Sequence, residues 1–179
     1  MIINRGNNPT PEYKTKESAG FDIAVNLTSL EQIRDLNKGL DIQTLIDEKD
    51  LSKGFKINIR PFQQLILPTG LYLDNMKLQM LGNSYFNENI QETLNRTPVL
   101  KIYIKSSIGM KGLILSNNVG VIDIDYPNEI MLMIRNLSND DITIKHGDRL
   151  AQGLIEYVIR PESMIKDEVR VGGFGSTGQ

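Results

Sequence analysis

The sequence predicts a single all-β domain, and three observations predict it. Short apolar or alternating runs recur from residue 57 onward, among them "INI", "QLILP", "LYL", "VLKIYIK", "LIL", "VGVIDI", "EIMLMIR", "ITI" and "LIEYVI". Turn-forming residues separate many of these runs at the close spacing of a sandwich or barrel. In "VLKIYIK", Leu100, Ile102 and Ile104 alternate with Lys101, Tyr103 and Lys105, the period of two that marks a half-buried strand. With 179 residues, the chain suffices for one domain, residues 1–179, with a real core.

Taken in order, the N-terminal "MIINRGNNPTPEY" turns polar too early for a signal peptide. "AGFDIAV" then places Asp22 inside an apolar run, either exposed on a strand or buried and paired. In "TSLEQIRDLNKG", Leu30, Ile33 and Leu36 recur at helical spacing, Ser29 and Gln32 stand as a capping box, and Gly39 suits a C-terminal stop. "DIQTLIDEKDLSKG" predicts a second helix ending near Gly54, and the polar "GNSYFNENIQETLNRTP" a short one before Pro98. These stretches, about residues 28–54 and 75–98, read as insertions into a β scaffold, serving as decoration or as a surface for a protein partner.

Four further segments carry polar groups of chemical interest. "KSSIGMKG" sets Ser106 and Ser107 beside Lys105 where a strand enters a turn, offering hydroxyl and backbone donors for phosphate oxygens, with Lys111 nearby. Ser and Gly are equally ordinary turn residues. In "GVIDIDYPNEI", a strand through "VGVIDI" puts Asp123 and Asp125 on one face, and "YPNE" supplies a turn into "IMLMIR". One such carboxylate could activate water, while two solvated acids before a turn would look the same. "GDRLAQGLI" reads as a turn running into a strand, with Arg149 bonded to a neighbouring carboxylate for structure. The tail "VGGFGSTGQ" is either a frayed end or a strap whose backbone amides and single aromatic, Phe174, close on a ligand.

Composition excludes several chemistries. Lysine and arginine total 20 against 22 acids, so nothing points to nucleic acid or an anionic membrane as partner. Without cysteine, thiol catalysis and disulfides are excluded. The single histidine, His146, lies in a "KHGDR" turn and reads as a structural loop residue. A metal would therefore be a hard cation held by carboxylates, water and substrate oxygens. No apolar run approaches membrane-spanning length, and a cytoplasmic protein is expected.

The identity and order of five motifs go further than any one of them. "AGFDI", "KSSIGMKG", "GVIDIDY", "GDRLAQ" and "GGFGSTG" resemble, in order, the five motifs of the trimeric dUTP pyrophosphatase (dUTPase) family, and "LPTGL" at 67–71 looks like its connecting strand. The resemblance implies a distorted jelly-roll barrel with short helical insertions, assembled as a homotrimer that shares its active sites. It also implies a C-terminal arm, about residues 166–179. The reaction would be hydrolysis of dUTP to dUMP and pyrophosphate with Mg²⁺ on the triphosphate, limiting uracil entry into DNA and supplying dUMP.

By that match Asp123 would be the general base and Tyr126 would pack on deoxyribose. Asn117 would bond the uracil edge, with the strand backbone around Met131. Ser106, Ser107 and Gln152 would hold the phosphates, and Asp22 would meet the metal through water. Phe174 would stack on the base while Gly175, Ser176 and Thr177 close on the terminal phosphate. The chain departs from the family where arginine is usual at Lys105 and where Arg170 stands closer to the glycines than usual, and both are assigned to the phosphates. A dCTP deaminase on the same fold is disfavoured, since Met110 and Met133 stand where it needs an arginine and a glutamate. A nucleotide-sensing regulator on this fold is the other alternative.

Overall fold

The computed structural model describes residues 2–45, 54–74 and 96–165. Eleven strands are named among them, and every named strand pair is antiparallel. They are β1 (Ile2–Asn4), β2 (Phe21–Ala24), β3 (Gln43–Leu45), β4 (Lys56–Ile59), β5 (Gln64–Leu73), β6 (Arg96–Ile104), β7 (Leu113–Leu115), β8 (Gly120–Ile122), β9 (Ile130–Asn136), β10 (Ile142–Lys145) and β11 (Arg149–Ile159). Three sheets result, with orders β1-β5-β9-β7, β10-β4-β3 and β2-β11-β6-β8. Alternation decides what each strand buries: along β9, Ile130, Leu132 and Ile134 are buried while Met131 and Met133 are half-buried. The core they form also takes in Ile23, Ile57, Leu65, Leu100 and Leu113.

The first predicted helix is present as α1 (Leu30–Leu36), with the Ser29 hydroxyl accepting from Gln32 N at 3.2 Å. Gly39 has φ +81°, a left-handed stop suited to glycine. The second helix is not as predicted. Residues 43–45 form β3 and pair with β4, because Gln43, Thr44 and Leu45 find open ladder partners there, and residues 46–53 lie outside the described residues. Of the third helix, residues 96–98 belong instead to β6, and the rest lies outside the described residues.

α1 is built into the core rather than laid on it. Ile33 is fully buried. Asn37 imitates a strand residue toward Ile66, accepting from its N–H at 2.7 Å and donating to its carbonyl at 2.9 Å. Such a reciprocal pair fixes both position and rotation of a short helix that could not hold its shape alone.

β5 carries the other feature that positions the site. Its register with β9 shifts between Pro68 and Leu71. Pro68 has no N–H to give, and Gly70 adopts φ +73° with its Cα side so close to Gly6 that a Cβ would lie 2.5 Å from Gly6 Cα. The bulge takes the Thr69 and Gly70 amides out of the ladder, and buried amides need another acceptor. No helix among the described residues is long and apolar enough to cross a membrane.

Candidate active site

Polar groups gather at two ends of the sheet β2-β11-β6-β8. The first end is centred on Asp22. In register, Asp22 faces Gln152, which faces Tyr103, and Lys105 follows directly after β6, its N–H donating to Leu150 O at 2.9 Å. Asp22 is buried, its side chain only 7% exposed, with one oxygen 2.6 Å from Lys105 Nζ and the other 3.3 Å from an Arg149 guanidinium nitrogen. Burial alone would push its carboxyl up, but the hydrogen bond and charge of Lys105, the charge of Arg149 and a bond from Gln152 outweigh it and hold it below its ordinary value. Of the two readings of Asp22, buried and paired is the one found, and Arg149 has the carboxylate partner expected of it.

Lys105 also caps the short helix α2 (Ser106–Gly109), whose intrahelical bonds begin with Ile108 and Gly109 donating to Lys105 O. Ser106 and Ser107 are exposed at its start, so their hydroxyls face solvent beside Lys105. A pocket of about 450 Å³ adjoins them, lined by Lys105, Ser107, Lys111, Lys145, His146 and Arg149. The excess of cations around one cavity suits a polyanion. His146 itself is structural, as expected: its Nδ1 accepts from Leu27 N–H at 3.1 Å, and burial lowers its pKa.

The second end is the loop from β8 to β9, two strands that belong to different sheets, so the turn into "IMLMIR" crosses between sheets instead of closing a hairpin. The strand predicted through "VGVIDI" stops at Ile122, because a turn closes from Asp123 O to Tyr126 N at 3.0 Å. The hydrogen-bonded turn thus comes three residues before the predicted "YPNE" one. Asp123 and Asp125 are nonetheless both exposed while Ile122 and Ile124 are half-buried, so the predicted two-sidedness survives. Tyr126 is buried at 7% exposure, its hydroxyl donating to Glu129 O at 3.3 Å. Asn117 is exposed in the tight turn after β7, before Asn118 at φ +62°. Met131 is half-buried on β9 and lines an open cavity against α1.

Sequence reading missed Glu129. It is buried at 7% exposure, one oxygen accepting from the orphan amides of Thr69 (3.0 Å) and Gly70 (2.6 Å), the other from Gln32 Nε2 (2.7 Å). Gln32 therefore does not complete the capping box with its side chain but reaches Glu129 in the β8–β9 loop. Nothing local in "YPNEI" signals this, since the donors come from elements about 60 and 97 residues away.

The two ends do not meet within one chain. β8 pairs with the middle of β6 so that Ile122 faces Leu100 and Asp123 continues toward the N-terminal half of β6, whereas Ser106 lies two residues beyond Ile104, past the C-terminal end of β6. At about 3.3 Å per strand residue, that separates Asp123 from Ser106 by roughly 20 Å. Arg170, Phe174, Gly175, Ser176 and Thr177 lie outside the described residues. Among the described residues, no group of three His, Cys, Asp or Glu side chains could hold a metal ion.

Comparison with known proteins gives this arrangement its context. The dUTPase family model matches residues 97–178. The deoxyuridine 5'-triphosphate nucleotidohydrolase of Finegoldia magna is 31% identical over 183 aligned positions, covering 99% of this chain and 96% of the relative. That of Cytophaga hutchinsonii is 28% identical over 99% of this chain and 90% of its own length. Among solved structures, dUTPase from Streptococcus mutans has a TM-score of 0.51 at 20% identity, covering 87% of this chain and 92% of that one. A Staphylococcus bacteriophage 80alpha dUTPase with dUpNHpp has a TM-score of 0.55 at 16% identity, covering 100% and 98%. The fold is theirs.

Proposed function

Since this chain belongs to the dUTPase family, we propose that its two polar ends are the halves of a nucleotide site that hydrolyses dUTP to dUMP and pyrophosphate. The observation that carries the residue assignments is the β8–β9 loop, where an exposed carboxylate, Asp123, stands beside a buried tyrosine, Tyr126, on a turn closed from Asp123 O to Tyr126 N–H. That is the setting a general base needs: water within reach, and a sugar-sized apolar wall that fixes where the phosphorus sits.

Hydrolysis at phosphorus requires a base for water and donors for the oxygens that gain charge. Asp123 takes the proton from water. Tyr126 packs on deoxyribose and leaves no room for a 2′-hydroxyl, while Asn117 and the backbone around Met131 bond the uracil edge. At the other end the Ser106 and Ser107 donors, with Gln152, hold phosphate oxygens. Lys105 Nζ has three N–H bonds and gives one to Asp22, leaving others for the polyanion. Arg170, Phe174, Gly175 and Ser176 close on base and terminal phosphate.

Mg²⁺ fits this donor set only as an ion carried on the triphosphate, where it would neutralise charge on the substrate oxygens. Asp22, with each oxygen facing a cation, would reach it through water alone. Because Asp123 lies alongside the middle of β6 and Ser106 past its C-terminal end, roughly 20 Å away, a substrate can touch both only if they come from different copies, in keeping with a homotrimer that shares its sites. The test is pyrophosphate release from dUTP with Mg²⁺, compared with dCTP and UTP. Release confined to dUTP and lost in Asp123→Asn is expected. No release above that variant would sink the reading, and ammonia from dCTP would replace it with deamination.

A further inference from the structure

We infer that Gln32, on the inserted helix α1, and Glu129 are positioning residues for the nucleoside half of the site. The inference rests on the reading of Tyr126 as the wall against deoxyribose. Glu129 lies three residues after Tyr126 and holds the β8–β9 loop through both its main chain and its side chain. Its main-chain carbonyl takes the Tyr126 hydroxyl, and its buried carboxylate takes Thr69 N–H, Gly70 N–H and the Gln32 amide.

None of the ion pairs among the described residues involves Glu129, so its charge is met by neutral donors alone. A buried carboxylate so placed is sensitive to each donor. Two of the three donors belong to the β5 bulge and are fixed by the backbone. The third is a side chain on α1, which the Asn37–Ile66 pair and the buried Ile33 hold in place. The helix thus supplies one rigid arm that completes the seat of Tyr126.

The chemistry of the pair makes a specific set of variants informative. Gln32→Leu removes the donor and leaves one carboxylate oxygen without its bond. Glu129→Gln keeps an acceptor for the two bulge amides, and the Gln32 amide can rotate to present its oxygen to the new NH₂, so the contact survives. Gln32→Leu should raise KM for dUTP about tenfold and lower the preference for dUTP over UTP, with kcat less affected. Glu129→Gln should lose less than Gln32→Leu on both readouts, and Arg34→Ala, on the exposed side of the same helix, should change nothing.

If Gln32→Leu lowered only the melting temperature and left KM and the dUTP to UTP preference intact, the positioning role would be overturned. Tyr126→Leu separates this from the underlying reading. Should that variant keep its preference, the reading of Tyr126 has failed, and amide exchange then decides the inference alone. Faster exchange at Thr69, Gly70 and Tyr126 in Gln32→Leu, but not in Arg34→Ala, would uphold the coupling, and unchanged exchange would overturn it.

Discussion

Two buried carboxylates, Asp22 and Glu129, stand at the two ends of the site and are stabilised by opposite means. Asp22 is met by charge, with two cations, Lys105 at 2.6 Å and Arg149 at 3.3 Å. Glu129 is matched by dipoles, two backbone amides and one side-chain amide. Dipoles aimed at a carboxylate fix geometry and carry no charge to share. Cations around a carboxylate keep donors to spare, so a polyanion can be drawn to the same lysine and arginine. The end proposed to meet phosphate is built the second way, and the end proposed to meet sugar and base the first.

The sharpest way to break this division is to ask whether the two ends act across copies. Asp123→Asn alone should cut kcat by about 10²–10⁴-fold, the usual worth of a positioned base, with little change in melting temperature because Asp123 is exposed. A double variant at the other end, Ser106→Ala with Lys105→Ala, should be similarly weak. Refolding the two together should restore roughly a quarter of parent activity, since random assembly places an intact phosphate end against an intact β8–β9 loop in about one site in four. No recovery on mixing, with mixed oligomers shown to form, would place both ends in one copy and end the shared-site reading.

Asp22→Asn tests the charged end at smaller amplitude. The amide would turn an NH₂ toward a cation and leave Lys105 without its anion. A loss of about 1–3 kcal/mol in stability is expected, with a several-fold rise in KM for dUTP, both measurable by denaturant melts and steady-state kinetics. An unchanged KM would detach Lys105 from the phosphates.

Much of this was legible beforehand, and the boundary is physical. Period-two runs exposed the strands because each residue's burial is set by its neighbours two away, as along β9. The Ser29 cap, the exposure of Asp123 and the Arg149 partner were readable for the same local reason. What escaped was long-range. Residues 43–45 joined a sheet edge offered by β4. The turn at Asp123–Tyr126 displaced the one expected at Pro127, and the Glu129 cluster draws on a bulge and a helix far off in the chain. The contacts of α1 escaped similarly, since Asn37 and Gln32 reveal their role only against Ile66 and Glu129.

Acid gives the smallest effect and separates two groups of the phosphate end by titration. His146 borders the phosphate-end pocket and accepts from Leu27 N–H through Nδ1, which requires the neutral ring. Burial lowers its pKa beneath 6.5, so between that lowered value and 6.5 the unfolded chain binds more protons than the folded one. The stability His146 contributes is therefore present above 6.5 and is lost as pH falls below it. Asp22, also lowered, loses its contribution only as pH falls below 3.8. Melting temperature should decline in two steps, the first below pH 6.5 removed by His146→Gln and the second below pH 3.8 removed by Asp22→Asn. A first step that persisted without His146 would mean that another group, not the Leu27 contact, governs the upper transition.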